Sequence, residues 1–324
     1  MAKAIRVHKT GGPEVMQLED VELGDPGPGQ ARVRHTAIGV NFLDTYQRSG
    51  LYPMQLPIGA GNEAAGVVEA VGQGVTLVKP GDRVAYCGGA PGAYAEARSF
   101  AADRLVKIPE GMSDELAASI MLKGMTSWYL IHRTYKVQPG DTVLFHAAAG
   151  GVGQIAVQWL KALGATVIAT VGSDDKAKIV KGLGADHVVV YTRENFTERV
   201  KEITGGKGLP VVYDSVGKST FDGSLDCLRP LGLMVSFGNA SGPVPPFNLG
   251  VLSAKGSLFI TRPTLASYIG TRENLEAAAG ALFGVVTSGK VKVGISARYK
   301  LADAVQVHKD LEARKTTGSV IMLP

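Results

Sequence analysis

The chain has 324 residues, 45% of them hydrophobic and 19% charged, with a net charge of +5 and a pI near 9.1. The length suggests two domains, and 42 glycines fit a Gly-rich α/β enzyme better than a helical bundle. Basic residues are scattered, which is no footprint for nucleic acid, and two cysteines, Cys87 and Cys227, exclude a disulfide framework and lack a metal-like spacing.

The N-terminal MAKAIRVHKT has no apolar core of a signal peptide, and no later run is long enough to span a bilayer. A cytoplasmic protein with no membrane role is the expectation. The first ~120 residues read as β-rich and barrel-like. Short apolar runs at 31–40 (ARVRHTAIGV), 64–72 (AAGVVEAVG) and 82–87 (DRVAYC) are separated by the turn signals GDPGPG and KPGD. From Asp141 onward, strand-like and helix-like segments alternate. TVLFHA (142–147) is followed by a helical period over 154–163 that stops at Gly164, and then by ATVIATV (165–171). Ser173 before Asp174 and Asp175 reads as a capped helix start, ending around Gly182–Gly184. HVVVY (187–191), the helix NFTERVKEIT, VVYD (211–214), a helix near 219–228, LMVSFG (233–238) and SLFIT (257–261) continue the alternation. This order predicts a doubly wound parallel sheet with helices on both faces. Two helical stretches after 263, ENLEAAAGALFGVVTSG and ADAVQVHKDLEAR, are expected to fold back onto the first domain. The predicted divisions are 1–123, 124–262 and 263–324.

The sharpest feature is AAAGGVG at 147–153, between a predicted strand and a predicted helix. That is the context a dinucleotide-binding turn requires. Ala148, Gly150 and Gly153 occupy the three positions of a G-x-G-x-x-G spacing. At Gly150 the missing Cβ lets the backbone approach a pyrophosphate, and at Gly153 it lets the helix pack close to the strand. Gly151 and Val152 carry the amides expected nearest the phosphates. Enzymes that use NAD place an acid at the end of the second strand to bind the ribose 2′-hydroxyl. Here that strand ends in Val171 and Gly172, followed by Ser173 and Lys176. A hydroxyl and an ammonium suit a 2′-phosphate, so NADPH is expected over NADH.

The segment GDTVLFHAAAGGVGQIAVQWLK (140–161) resembles the signature of the quinone oxidoreductase and ζ-crystallin branch of the medium-chain dehydrogenase/reductase family. GNEAAGVVEAVGQGV (61–75), LKGMTSWYLI (122–131), VVYDSVG (211–217) and GLMVSFGNASG (232–242) extend the resemblance over essentially the whole chain. It implies a Rossmann-type sheet plus a GroES-like β-rich domain. Zinc-dependent members have His where this chain has Asn62, and their first catalytic Cys falls near Asn41; with no four-cysteine lobe, a zinc-independent enzyme is expected.

The resemblance also implies a set of site residues. Asn41, Tyr46 and Tyr52 are expected to line the nicotinamide and substrate cleft. Thr126 is expected near the centre of the cofactor, Gly151 and Val152 at the pyrophosphate, and Ser173 and Lys176 at the 2′-phosphate. Tyr191 is placed beside the adenosine end, Ser215, Phe237, Gly238 and Ser241 along the cleft, and Arg262 at the adenosine phosphate. Phe237 and Tyr191 also read as ordinary strand-end aromatics. Cys87, His146 and Cys227 are assigned no chemistry. The sequence offers no nucleophile–base pair, which fits a reaction whose chemistry the cofactor carries. The implied activity is NADPH-dependent reduction of a small-molecule quinone by a homodimer. A reductase of α,β-unsaturated carbonyls is the rival enzyme, and a non-catalytic NADPH- or RNA-binding protein is the rival of another class. The absence of an RNP-like motif, a basic run or aromatic–basic interleaving argues against RNA.

Overall fold

A computed structural model describes all 324 residues, Met1–Pro324. The chain divides into two compact units, each discontinuous in sequence. The first comprises Met1–Met125, Ile269–Phe283 and Val293–Pro324, and the second Thr126–Tyr268 and Gly284–Lys292. Residues 263–268 and 284–292, expected in the return segment, therefore lie with the second unit. Their contacts explain why. Tyr268 stacks on Tyr129 at 4.5 Å and accepts a hydrogen bond from Thr134 Oγ1 at 2.9 Å. Gln158 makes two 2.9 Å bonds to the backbone of Lys292, one to its carbonyl and one from its N–H.

Along the chain the first unit supplies β1 (Ala2–Val7), β2 (Met16–Val21), β3 (Gln30–Gly39), α1 (Phe42–Ser49), β4 (Ile58–Gly59), β5 (Glu63–Val71), β6 (Arg83–Cys87), β7 (Ala97–Ala101) and β8 (Val106–Lys107). Helix α2 (Asp114–Tyr129) runs on past the unit boundary. The second unit holds β9 (Thr142–Phe145), α3 (Gly151–Ala162), β10 (Thr166–Val171), α4 (Asp174–Gly182), β11 (His187–Val190) and α5 (Phe196–Thr204). It continues with β12 (Leu209–Asp214), α6 (Phe221–Asp226), β13 (Leu228–Ser236), α7 (Gly250–Ala254), β14 (Phe259–Thr261) and α8 (Leu265–Tyr268). The chain ends with α9 (Arg272–Thr287), β15 (Ile295–Lys300), α10 (Ala304–Glu312) and β16 (Ser319–Leu323). No helix is long and apolar enough to cross a membrane.

The first unit is built on a seven-stranded sheet, β15-β16-β3-β5-β6-β8 with β7 also on β3, and a three-stranded sheet, β2-β1-β4. β3 buries Ala31, Val33, His35 and Ala37, the period-two pattern of a strand with one face on a core. That core gathers Val7, Ile38, Val68, Val84, Tyr86, Leu105, Val307 and Met322. Two strands in this unit, β15 and β16, were read in the sequence as neither strand nor helix. β16 pairs with β3 through Ile321 opposite Gly39, a contact between the two ends of the chain that local pattern does not announce. Helix α1 and the start of α2 also fall inside the stretch read as β-rich.

The second unit is a six-stranded sheet in the order β11-β10-β9-β12-β13-β14, parallel throughout. All six residues of the central β12 are buried, as a strand covered on both faces requires. Leu144, Ile168, Val189, Val212, Leu225 and Met234 form one core against this sheet. The order reverses beside β9: the chain runs outward through β10 and β11 on one side, then returns to place β12 on the other. Ligands bind at such a reversal, beyond the carboxyl ends of the strands. The start of α4 is as expected, with Ser173 Oγ accepting from the Lys176 N–H at 3.4 Å.

Candidate functional site

The expected cofactor residues of the second unit stand in one row along the carboxyl edge of the parallel sheet. Tyr191 follows β11, Ser173 and Lys176 follow β10, and Gly150–Gly153 follow β9. Ser215 follows β12, Phe237 and Gly238 follow β13, and Arg262 follows β14. Just after β9 the chain turns sharply at Ala147, whose φ is +50°. Gly150 then caps α3. The ladder of α3 begins with Gln154 N–H donating to Gly150 C=O at 2.9 Å, so the amides of Gly151, Val152 and Gly153 have no helix carbonyl to use. Those amides and the helix dipole make an anion site. A Cβ on Gly153 would lie 2.5 Å from the Ala148 carbonyl oxygen, so only glycine lets α3 start this close to the strand end. Ser127 Oγ donates to the Val152 carbonyl at 3.2 Å, and the neighbouring Thr126 is buried on α2.

The end of β10 carries no acid. Asp174 and Asp175, in the first turn of α4, are engaged by Arg193 at 2.7 Å and Lys178 at 3.0 Å. The Tyr191 hydroxyl lies 2.7 Å from where a Cβ on Gly172 would stand, so tyrosine and glycine form one adjoining surface. Ser173 is exposed and Lys176 half-buried beside it. A hydroxyl, an ammonium and an aromatic face fit a 2′-phosphorylated adenosine. A charge-assisted bond is worth about 1.5–3 kcal/mol, so Lys176→Ala is expected to weaken NADPH binding about 10- to 150-fold and leave NADH binding unchanged. Fluorescence titration of the two nucleotides measures this. Equal weakening of both would remove Lys176 from the 2′-phosphate.

Arg262 needs a correction. Three strands, β9, β12 and β13, separate β14 from β10, which at ~4.8 Å per strand puts about 19 Å between Arg262 and the Ser173–Lys176 end. Its guanidinium donates instead to the carbonyls of Ser236 at 2.8 Å and Gly238 at 3.4 Å. It braces the end of β13 and lies at the opposite end of the row from the adenosine residues. Ser241 is also committed locally: its hydroxyl donates to the Val216 carbonyl at 2.8 Å and accepts from the Ser219 N–H at 3.0 Å. Gly238 is pressed against Ser215, whose carbonyl oxygen would be 2.5 Å from a Cβ there. Phe237 packs on Phe145 with ring centroids 5.7 Å apart, half-buried at the strand end.

Below this edge lies a buried polar hub that the sequence reading missed. Asp214, the last residue of β12, accepts from the N–H groups of Val216 and Gly217 and from the hydroxyls of Thr220 and Ser224, all at 2.7–3.0 Å. A carboxylate only accepts, so Ser224 spends its proton on Asp214 and takes one from His146 Nε2 at 3.0 Å. His146 Nδ1 then accepts from Thr170 Oγ1 at 2.8 Å. The imidazole is neutral, with its pKa lowered by burial. His146 is thus a core residue, as expected, and it ties together the ends of β9, β10 and β12.

In the first unit, Asn41 caps α1, which carries Tyr46; Tyr52 follows in the next turn. The Tyr46 and Tyr52 rings are 5.2 Å apart, and the Tyr52 N–H donates to the Tyr46 carbonyl at 3.0 Å. Both are half-buried. The inner face of α1 is polar: Asp44, Thr45 and Arg48 are its buried residues. Asp44 accepts from Asn41 N–H (2.8 Å), Asn62 Nδ2 (2.6 Å) and Tyr94 Oη (2.8 Å). Arg48 can only donate, so His308 Nδ1 accepts from it at 3.1 Å, and His308 Nε2–H points to the Tyr94 oxygen at 3.1 Å. Arg48 also pairs with Glu312 at 2.5 Å.

Burial pushes Asp44 up from 3.8 to about 6, against the bonds from Asn62 and Tyr94. Burial, helped by the Arg48 charge, lowers His308 from 6.5 to about 3. The signs oppose. Stability from Asp44 is present at low pH and lost as pH rises through about 6, whereas that from His308 is present above 6.5 and lost as pH falls. His308→Gln is expected to remove an acid-side loss of about 2 kcal/mol at about pH 5. Urea midpoints from about pH 7 to pH 5 test this, and a variant as acid-sensitive as the native protein would refute it.

The side chains do not fit a zinc ion. Asn62 Nδ2 is bonded to Asp44 and Gln47, each at 2.6 Å, and Asn41 Nδ2 donates to Glu63 Oε1 at 2.9 Å. Glu63 is itself paired with the buried ammonium of Lys123 at 2.7 Å. No three His, Cys, Asp or Glu residues are grouped to hold a metal.

Residues 27–110 match the Alcohol dehydrogenase GroES-like domain family, and residues 151–282 match the Zinc-binding dehydrogenase family. The chain is 54% identical to a quinone oxidoreductase of Pseudomonas aeruginosa over 325 residues, covering 100% of both chains. The chain belongs to the quinone oxidoreductase branch of the medium-chain dehydrogenase/reductase family. Within that branch, the crystal structure of Escherichia coli quinone oxidoreductase complexed with NADPH superposes with a TM-score of 0.98 at 51% identity, covering 100% of both chains. A 2-haloacrylate reductase from a Burkholderia species is 47% identical, covering 100% of this chain and 99% of its own. The zinc-binding description of the matched family does not extend to Asn41 and Asn62, whose side-chain nitrogens are engaged by Glu63, Asp44 and Gln47.

Proposed function

We propose that the protein is an NADPH:quinone oxidoreductase that works without zinc. The observation that carries this reading is the row of residues along the second unit's carboxyl edge, with α3 amides open to a pyrophosphate and no acid at the end of β10. Its full-length likeness to quinone oxidoreductases supports the acceptor class. When bound, NADPH supplies the reducing equivalents. The chain's own residues bind and orient. Gly151 and Val152 hold the pyrophosphate, Ser173 and Lys176 the 2′-phosphate, and Tyr191 lies along the adenosine. Thr126, Ser215, Phe237, Gly238 and Ser241 shape the path of the cofactor. Tyr46 and Tyr52 offer phenolic donors to the acceptor's oxygen, and Asn41 is a third group that would orient it by hydrogen bonding. If neither Tyr46→Phe nor Tyr52→Phe changes turnover, no phenol moves a proton in a limiting step.

The deciding experiment follows oxidation of NADPH and of NADH, with and without an ortho-naphthoquinone, on chelator-treated protein. Rapid quinone-dependent turnover with NADPH, slow turnover with NADH and indifference to the chelator are expected. The 2-haloacrylate reductase relative favours a second reading, reduction of an activated alkene. Turnover on an enone exceeding that on the quinone would select it.

We further propose a cytoplasmic homodimer that pairs through β14. This strand is a free edge of the parallel sheet, and Phe259 on it and Leu231 beside it are 59% and 66% exposed. Such edges seek partners. Phe259→Asp is expected to shift the protein to monomer in sedimentation at micromolar concentration. An unchanged dimer would place the interface elsewhere.

A further inference from the structure

Glu63 opens β5 with no exposed surface, and its two oxygens gather three donors from two different helices. Asn41 Nδ2, at the cap of α1, donates to Oε1 at 2.9 Å. From α2, Lys123 Nζ donates to the same oxygen at 2.7 Å and the Leu122 N–H to Oε2 at 2.6 Å. Room for the carboxylate comes from Gly39 at the end of β3, where a Cβ would stand 2.3 Å from Oε1 and 2.4 Å from Glu63 Cγ. Glu63 is fully buried, and the Lys123 side chain is 6% exposed.

A buried ion pair is a poor stabiliser, because losing water offsets most of the attraction and an apolar pair of similar volume serves as well. It is a good orienting device. A carboxylate can only accept, so Glu63 dictates that the amide nitrogen of Asn41, and not its oxygen, faces inward. The ammonium donates to the same oxygen as Asn41, and a flipped carboxamide would bring an acceptor to an oxygen that has no proton to give. We infer that Glu63 and Lys123 are positioning residues for the reduction, a fixed internal salt that sets which end of the Asn41 carboxamide faces inward at the start of α1. The inference rests on the reading of Asn41 as a site residue.

The test compares Lys123→Met, Glu63→Gln and the double variant Glu63→Gln/Lys123→Met with the native protein in thermal unfolding, NADPH titration and quinone turnover. Each single change leaves an unpaired or mismatched group and is expected to lower Tm. The double variant is expected to regain most of the lost Tm yet stay about tenfold or more below the native kcat, since a glutamine at 63 accepts either end of Asn41. In an Asn41→Ala background the same double change is expected to lower kcat by less than about twofold, because the pair acts through Asn41. Lys123→Arg, which keeps the charge and folds with it, is expected to retain kcat within about threefold. Recovery of both Tm and kcat by the double variant, or a full further loss in the Asn41→Ala background, would make the pair structural only. Native protein that shows no quinone turnover at all would instead defeat the functional reading.

Discussion

Gly153→Ala is expected to lose both cofactor affinity and stability, whereas Gly150→Ala loses affinity alone. The difference lies in what an added methyl meets. At Gly153 it would stand 2.5 Å from the Ala148 carbonyl oxygen and 2.6 Å from its carbonyl carbon and Cα. All three are backbone atoms that no rotamer can move aside, so α3 must lift from the end of β9. Overpacking of this kind costs about 1–3 kcal/mol. The lift also carries the Gly151 and Val152 amides away from the pyrophosphate, so NADPH affinity is expected to fall by about 100-fold or more. At Gly150 the nearest atom is a single carbonyl oxygen at 3.2 Å, and φ is −76°, which alanine adopts freely. Its methyl asks the Ala147 carbonyl to give by a few tenths of an ångström, a smaller shift than at Gly153, and projects where the phosphates approach. Tm is expected within about 1 °C of native while NADPH affinity drops about tenfold or more. Native affinity in Gly150→Ala would move the pyrophosphate away from this turn.

Asp214→Ala is expected to be the most destabilising single change in the second unit. The carboxylate is fully buried and receives four donors. Truncation leaves two backbone N–H groups and two hydroxyls without it. At about 1–3 kcal/mol for each orphaned buried group, partly recovered by relaxation, a loss of about 3–5 kcal/mol is expected. The loss should reach the cofactor edge, because Ser224 also aligns His146 under the phosphate turn. Asp214→Asn keeps one accepting oxygen and is expected to fall between the two. Urea unfolding gives the energies. A loss below about 1 kcal/mol in Asp214→Ala would mean that water replaces the carboxylate and the hub is not cooperative.

The parallel sheet was legible because each strand is a short apolar run with a helix-period segment after it, as in TVLFHA before QIAVQWLKAL. The phosphate turn was legible because Gly150 and Gly153 need no partner from elsewhere in the chain to explain their chemistry. Three things were hidden, each for a physical reason. Strand order sets lateral position, and the chain does not spell it out, so Arg262 was assigned to the wrong end of the row. Helix α1 buries Asp44, Thr45 and Arg48, the reverse of the apolar stripe that periodicity detects. Glu63, Lys123 and Asp214 look like ordinary charges until three-dimensional neighbours far along the chain pair them. The signals that could have flagged them are modest: the acid in the G-N-E run at 61–63, and a lone lysine in an apolar stretch at 120–125.

The polar underside of α1 has a consequence for changing what the enzyme accepts. A helix seated on hydrocarbon can slide or rotate slightly as its contacts are swapped, and laboratory evolution exploits that slack. Helix α1 is keyed instead by directional bonds, from Asn62 to Asp44 and Gln47 and from Arg48 to His308, each of which tolerates little displacement. Its outward residues, Phe42 and Tyr46, together with Tyr52, can therefore be randomised on a base that stays still. A library confined to those three positions should yield altered acceptor preference with few misfolded members. One that reaches the inner positions should lose most of its members before any selection is applied.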